Sequence, residues 1–512
     1  MNKNKNLVLA VLMASGCTLA YGQSVLDASH MASEGLYGTA RYMAMGGAFG
    51  ALGGDPSCMK DNPAGLAIYR GTSQFSITPN FQIANAPGAS HKSSTAITNL
   101  SFILSFKSDD WMDNLVNFNI GFGFNRNEGS RRRYGFYNYG NPGSSMASYV
   151  DDANWNWGTQ SILGQLGEDL YPYLIIDNGE DNQMSVDAKY GWDHDRYSKI
   201  SIASRNDEYD VSFSGNWNDI FYAGMTLSFI DMNQTTTSEI DEIYDNLGDN
   251  PSCFYSTDQE IKGSGFQAKL GFLFKPTDEW RIGAAVHTPT WYDLREYQYA
   301  YLDYGWDDDY VSTDTEGIWD IYGNVLDYEY SFRSPWAYQF STAYVFGANA
   351  ILSFEYDMKD YTTMKYSGIK STEHHKFDYV NEYIKNYMKM QHTFKGGLEV
   401  RATKNLSVRA GYAYMTADSD IPSNAPVDNV YVGYNSYIGE ASRTDYAKIG
   451  AQQFFSAGLG WRGKQWYADL TVQDRLMKET VASFPSTDYT RATEQCVKTN
   501  FVNTALTLGY RF

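Results

Sequence analysis

The chain predicts an all-β fold: a fourteen-stranded antiparallel transmembrane β-barrel whose lumen is plugged by an N-terminal hatch. Three observations carry that expectation: apolar and polar residues alternate in segment after segment, an export signal opens the chain, and an amphipathic strand closes it at Phe512. Composition narrows the choice further. The 512 residues include 42 Tyr, 27 Phe, 12 Trp and 45 Gly, which does not suit a helical bundle. A mean hydropathy of −0.46 with 20% charged residues excludes a polytopic helical membrane protein. Only 13 Pro and a 43% hydrophobic fraction argue against disorder. Acids outnumber bases 60 to 40. That balance disfavours a nucleic-acid partner, because phosphate recognition needs a basic face.

The N-terminus sets the compartment. Lys3 and Lys5 form a basic region, Leu7 to Ala14 a short apolar run, and Ala20-Tyr21-Gly22 places small residues at −3 and −1 of a cleavage before Gln23. Residues 1–22 are thus a signal peptide; a retained helix and a lipoprotein signal at Cys17 are the alternatives. Export leaves Cys58, Cys253 and Cys496, an odd number without any C-x-x-C spacing. Cys253 and Cys496 lie in polar stretches and are a candidate pair, with two unpaired thiols the alternative.

After the signal, no stretch reaches the ~18 apolar residues of a spanning helix, so a membrane form must be a closed barrel with every backbone group paired. Phe118, Ile120, Phe122 and Phe124 alternate with Asn and Gly; Leu352, Phe354, Tyr356 and Met358 with Ser353, Glu355 and Asp357; Leu406, Val408, Ala410, Tyr412 and Tyr414 with Ser407, Arg409, Gly411 and Ala413. A soluble sandwich has the same period. The barrel is favoured by the alternation of short and long connections, by Trp461 and Trp466 flanking one tight turn, and by the last strand. There Phe512, Tyr510, Leu508, Leu506 and Val502 share a face opposite Arg511, Gly509, Thr507 and Asn503. A terminal aromatic of this kind looks like the signal read by barrel-assembly machinery.

The candidate strands are 72–84, 95–106, 115–126, 207–217, 220–232, 261–276, 279–300, 325–346, 349–363, 390–402, 405–415, 452–462, 465–476 and 500–512. The even-numbered connections are short and should face the periplasm, placing both termini there, in the outer membrane of a Gram-negative cell. The longest connection, 127–206, is long enough to fold as an extracellular cap. Lys269, Lys395, Arg401, Arg409, Arg511, Glu355, Asp357, Glu399 and Asp469 fall on the non-apolar faces. A charge facing lipid near the midplane costs roughly 2–4 kcal/mol, so these residues should point inward. Their mixed signs do not suit an ion-selective porin and do suit a lumen packed around a plug.

Residues 23–71 are the candidate plug, ahead of a barrel domain spanning 72–512. The segment contains a glycine-rich run from Gly38 to Asp55 and then Asn62-Pro63-Ala64. Small residues allow the close backbone approach a plug needs; a turn-rich soluble domain would also read this way. The run resembles the N-terminal hatch of the FadL family of outer-membrane transporters for hydrophobic compounds, to which TodX belongs. In that family a glycine-rich segment precedes an Asn-Pro-Ala element just before the first strand.

The resemblance implies a monomeric barrel, without energy source or cofactor, that takes up fatty-acid-like hydrophobic or amphipathic molecules. The ligand would bind in an apolar site near the hatch and leave sideways through the wall into the bilayer, where apolar surface is better solvated than in water. On that resemblance Asn62, Pro63, Ala64, Met43, Met45, Phe49, Gly121 and Gly123 are the candidate ligand-binding or gating residues. In the family, a kink in the third strand makes the opening. Gly121 and Gly123 could seat such a bulge, or could simply leave room for the hatch. Connection 127–206 departs from the family pattern: it is rich in Asn, Asp, Trp and Tyr rather than Leu and Phe, which leaves the ligand open.

Other motifs carry less. Gly458 to Gly463 matches GxGxxG but ends a strand with no helix after it. The acidic run from Asp303 to Asp309 fits no calcium loop and reads as a solvated face, and the His374-His375 pair as exposed residues rather than haem ligands. No metal site is expected. HExxH, P-loop and GxSxG motifs are absent, and His287 is the one histidine well inside a candidate strand, so an enzyme is disfavoured. A haem-binding or adhesive barrel and a porin for polar solutes remain as alternatives to transport of hydrophobic molecules.

Overall fold

The computed structural model describes residues 24–88, 91–108, 114–141, 175–177, 184–186, 194–243, 252–306, 309–314, 327–369, 377–421, 446–482 and 494–512. The signal peptide and the His374-His375 pair lie outside them, and Asp303 to Asp309 is only partly inside. The barrel strands are β1 (Gln74–Asn85), β2 (Lys92–Lys107), β3 (Leu115–Glu128, continuing as Arg131–Asn141), β4 (His194–Trp217), β5 (Phe221–Ile243) and β6 (Ser252–Phe274). They continue with β7 (Trp280–His287 and Trp291–Trp306), β8 (Asp327–Arg333 and Trp336–Phe346) and β9 (Ala350–Asp360, with Lys365–Gly368). The last five are β10 (Met390–Arg401), β11 (Leu406–Met415), β12 (Tyr446–Arg462), β13 (Trp466–Ala482) and β14 (Gln495–Arg511). Each strand pairs antiparallel with the next, and β14 pairs with β1 from Arg511↔Gln74 to Asn500↔Asn85, which closes the wall at fourteen strands. No helix among the described residues is long and apolar enough to cross a membrane.

The wall is inside-out relative to a soluble sheet. On β1 the polar Ser76, Thr78, Asn80 and Gln82 are buried while Phe75 and Phe81 are exposed. On β5 the outward residues Phe221, Met225 and Phe229 give way to Asp231 and Asn233, so the apolar face spans about 26 Å along the strand at ~3.3 Å per residue. That length matches a lipid-facing band. Lys269, Lys395, Arg409, Glu355 and Asp469 are buried, as the cost of a lipid-facing charge requires. Arg401 follows the same alternation but lies exposed at the rim of the barrel, beside the 402–405 turn.

Three sequence expectations change. The 127–206 segment is not a free cap throughout: its two ends extend β3 and β4, pairing from Arg131↔Ala203 onward to Asn141↔His194. Strands seven and eight are not continuous. They break at Thr288-Pro289-Thr290 and at Ser334-Pro335, where proline cannot supply a ladder N–H. Cys253 and Cys496 do not pair; both are free, as is Cys58.

The N-terminal segment lies against the inward faces of the strands. It forms α1 (Val25–Ala32), α2 (Ala40–Ala44) and two 3₁₀ turns (Pro56–Met59 and Pro63–Ile68), almost all of it buried. Helix α3 (Asp378–Tyr387), between β9 and β10, covers α1 from the other side. Val25, Leu26, Ala28 and Met31 of α1 and Val380 and Ile384 of α3 share one apolar core with Tyr292, Tyr330 and Tyr366 of the wall.

Candidate functional site

Each turn of the N-terminal segment has a local cause. Ser24 caps α1 by accepting the Asp27 N–H at 2.8 Å, and Thr39 caps α2. Asp55 caps the first 3₁₀ turn and accepts the Thr39 hydroxyl at 2.8 Å. Burial pushes the Asp55 carboxyl up from its ordinary pKa, opposed by the nearby Arg41 and the hydrogen bonds from Ser57 and Thr39. Asn62 caps the second turn, with Pro63 at the first helical position, where a missing N–H costs nothing. The Asn62 Oδ1 accepts the Ala64 N–H at 3.1 Å, while its Nδ2 donates to Gly50 O at 2.7 Å and to Phe272 O at 3.1 Å. One side chain therefore joins a turn, the glycine-rich run and strand β6.

The wall is shaped to receive this element. A Cβ on Gly271 of β6 would lie 2.0 Å from Asn62 Oδ1, and one on Gly224 of β5 would lie 2.5 Å from the Pro63 carbonyl carbon. Gly121 and Gly123 of β3 serve the same purpose for Met59, whose sulfur and terminal methyl would meet their Cβ atoms at 2.8 and 2.5 Å. Both glycines sit in unbroken register, Gly121 opposite Ile103 and Gly123 opposite Ser101. Of the two readings of these residues, the structure places them as room for the N-terminal segment, and the irregularity of β3 lies elsewhere.

Met43, Met45 and Phe49 come together. They are fully buried in one cluster with Tyr37, Tyr42 and Leu52, and Arg41 lies 5.2 Å from the centre of the Phe49 ring. Arg41 Nε also donates to Glu399 Oε2 at 2.9 Å. The same oxygen accepts from Arg409 at 2.7 Å, and Arg409 reaches Asp469 at 2.6 Å. Nearby, Lys395 is 2.6 Å from Glu355 and 2.7 Å from Asp357, and Glu355 accepts the Gly50 N–H at 2.6 Å. Buried charges persist only where paired and hydrogen-bonded, and these pairs stitch the segment to β9, β10, β11 and β13.

None of the eight candidate residues lines the cavity that borders the N-terminal segment among the described residues. It has a volume of about 70 Å³ and is bordered by Glu34, Gly35, Lys60, Asp61, Asn127, Glu208, Lys269, His287 and Lys395, among others. It is small and its lining is rich in charged side chains, whereas small-molecule pockets run to roughly 300–1,000 Å³ with mostly apolar linings. His287 Nε2 donates to the Asp61 carbonyl at 2.7 Å, and Tyr356 and His392 are hydrogen-bonded on β9 and β10.

Beside the cavity the wall itself is interrupted. The β2–β3 ladder ends at Asn99↔Asn125, although β2 runs on to Lys92 and β3 beyond Glu128. A bulge marks each strand there. Pro79 of β1 has no N–H, and opposite it Thr98 is left without a partner on β2; on β3 the extra residue is Asn127. The N-terminal segment takes up their spare groups. Gly35 N–H donates to Asn127 O at 2.8 Å, and the Thr98 hydroxyl donates to Gly38 O at 3.0 Å. Gly35, Gly38, Thr98 and Asn127 are thus the residues that sequence reading missed. Pro79, inside a candidate strand, was the signal that could have found them.

No family model and no curated protein sequence matches the chain. Solved structures do. A Pseudomonas aeruginosa FadL homologue superposes with a TM-score of 0.52 at 13% identity, over 93% of this chain and 99% of that one. CymD, a monoaromatic hydrocarbon channel, gives 0.47 at 11% identity over 94% and 98%, and the Ralstonia pickettii toluene transporter TbuX gives 0.46 at 13% over 93% and 99%. At such identities the likeness speaks to architecture. With fourteen strands, a lipid-facing apolar band and an N-terminal segment inside the wall, this chain has the fold of a FadL-type outer-membrane β-barrel.

Proposed function

We propose that this protein is an outer-membrane channel for passive uptake of hydrophobic or amphipathic small molecules, with residues 23–71 as its hatch. Release would be lateral, between β2 and β3. The observation that carries this reading is the unfinished β2–β3 ladder, closed from within by Gly35 and Gly38. An interrupted ladder that begins next to the outward-facing Leu100 leaves an open strand edge beside the apolar band, and an open edge calls for a reason. The 70 Å³ cavity behind it is too small for an acyl chain. In this reading the hatch shifts during transport, and the ligand-binding or gating roles of Met43, Met45, Phe49 and the Asn62-Pro63-Ala64 element are those of parts that move or hold it. Gly121 and Gly123 contribute by leaving space for Met59. The likeness to a FadL homologue supports the same reading.

No enzymatic step is assigned. His287, an inward-facing histidine of β7, faces a backbone carbonyl rather than a nucleophile. The charged lining of the cavity favours one second reading, a porin-like path for polar solutes.

Two measurements separate them. Native mass spectrometry with lipid extraction of the detergent-purified protein should find a bound apolar molecule that is lost when Asn62-Pro63-Ala64 is replaced by a Gly-Ser stretch. A ligand-free barrel that conducts small polar solutes across a planar bilayer would overturn uptake of hydrophobic molecules in favour of the porin.

A further inference from the structure

The lateral reading leaves open why β3 fails to complete its ladder with β2. A strand beside a free edge gains by pairing with it, since the edge presents a row of unpaired N–H and C=O groups. Something must hold it away. Past the Asn127 bulge, β3 turns toward the opposite side of β1 and β2. Glu128 lies 3.2 Å from Nη1 of Arg475, and Arg132 Nη2 lies 2.9 Å from Glu479; both partners are on β13. In the order of the wall, β2, β1 and β14 separate β3 from β13. All four side chains are at most 3% exposed.

Arg475 is further fixed. Its Nε donates to Gln452 at 2.9 Å, and its guanidinium lies between the Phe454 and Phe501 rings, at 5.6 and 5.3 Å. Beyond the ion pairs, Tyr134 and Phe136 of β3 pack on Val481 of β13 and Val497 of β14. The β1–β2 hairpin is short enough to pass beneath. Its tip touches the crossing strand where Gly135 N–H donates to Pro87 O at 3.3 Å.

We infer that the Glu128–Arg475 and Arg132–Glu479 pairs are positioning residues that clasp the outer half of β3 across the lumen, hold it off β2, and so keep the lateral exit formed. This rests on the lateral-release reading for its function but not for its geometry. Buried ion pairs add little stability compared with apolar residues of the same shape, and their best-attested use is to select one arrangement among several. Here the competing arrangement is continued zipping of β3 onto residues 92–98 of β2, which would seal the wall.

The test removes charges in pairs, so that no lone charge is left buried: Glu128→Gln with Arg475→Met, and separately Arg132→Met with Glu479→Gln. Spin labels on Thr95→Cys and Arg131→Cys, in a Cys496→Ser background, report the β2–β3 separation by double electron–electron resonance. Uptake of a fluorescent fatty acid into vesicles reports the exit. Expected are a shorter, narrower distance distribution and a several-fold loss of uptake, with co-purified ligand retained. An unchanged distance in both variants overturns the clasp. A shortened distance with unchanged uptake overturns its role in the exit and, with it, lateral release.

Arg196→Met with Glu242→Gln removes an equally buried pair between the adjacent strands β4 and β5. A distance change in that control as large as in the clasp variants would reduce the clasp to general stability and overturn it as well. Should the Arg475 variant not fold, the outer Arg132–Glu479 variant decides alone.

Discussion

Asn62→Ala tests how the hatch is held. The side chain is fully buried and makes three hydrogen bonds: one caps the turn, and two tether Gly50 O and Phe272 O. Loss of the cap costs about 1 kcal/mol. Each buried carbonyl left without its donor costs about 1–3 kcal/mol, although Phe272 O, as a ladder strand carbonyl, sits at the low end. The total is roughly 3–5 kcal/mol, charged almost entirely to the docking of residues 50–68, because no ladder bond between strands is touched.

The barrel should therefore remain folded and heat-modifiable on gels, while amides of residues 62–68 lose hydrogen-exchange protection by two to three decades, at about 1.4 kcal/mol per decade. Asn62→Asp separates the two functions of the side chain. It keeps the cap acceptor, loses both donors and sets a carboxylate against two carbonyls, so it should be at least as damaging as alanine. Unchanged protection in Asn62→Ala would refute the tether. So would an Asn62→Asp variant that behaves like wild type.

Other expectations follow from the same packing. Gly271→Ala would put a methyl 2.0 Å from Asn62 Oδ1 and should cost about 1–3 kcal/mol in hatch docking or folding yield. Gly396→Ala, with nothing nearer than 3.7 Å, should be silent in the same refolding assay. Gly121→Leu should displace Met59 and loosen the 56–59 turn, read as protease sensitivity of the hatch with barrel closure unaffected. Asp418, buried behind β11 and accepting the Ser29 hydroxyl, is lifted by burial to about 6 from 3.8. A raised carboxyl binds its proton more tightly when folded. Docking of α1 is then favoured below pH 4 and weakens by up to roughly 3 kcal/mol as pH rises to 6. Asp418→Asn should flatten the pH dependence of Val25–Ala32 protection, measured by hydrogen exchange between pH 4 and 7.

Much of the wall was readable from the chain. Alternation with period two is a property of each segment alone, so Phe118 to Phe124 and Leu352 to Met358 declare their strands and faces without reference to any neighbour. Charge placement followed from solvation alone, which is why Lys269, Lys395 and Arg409 were assigned inward and are buried. The N-terminal segment stood out in the sequence by its glycine-rich run and the Asn62-Pro63-Ala64 resemblance, and its turns prove to be local chemistry: Asn62 before Pro63, Asp55 before Pro56, and glycines where the backbone turns left-handed at Gly53 and Gly54.

What escaped sequence reading depends on how the cylinder closes. Gly121 and Gly123 looked equally suited to a bulge or a seat, and only the presence of Met59 behind them decides. Pro79 announces an irregular β1–β2 ladder but not the second bulge at Asn127, which arises in the pairing of β3 with β4. Strands β3 to β6 run well past their apolar segments because neighbours there offer a continuous register, which no single strand encodes. The Glu128–Arg475 pair joins residues 347 positions apart on strands that never touch in the sheet. Periodicity and turn chemistry act over a few residues and are written in the chain; contacts across a lumen, such as Glu128 with Arg475, come into being only when fourteen strands close around it.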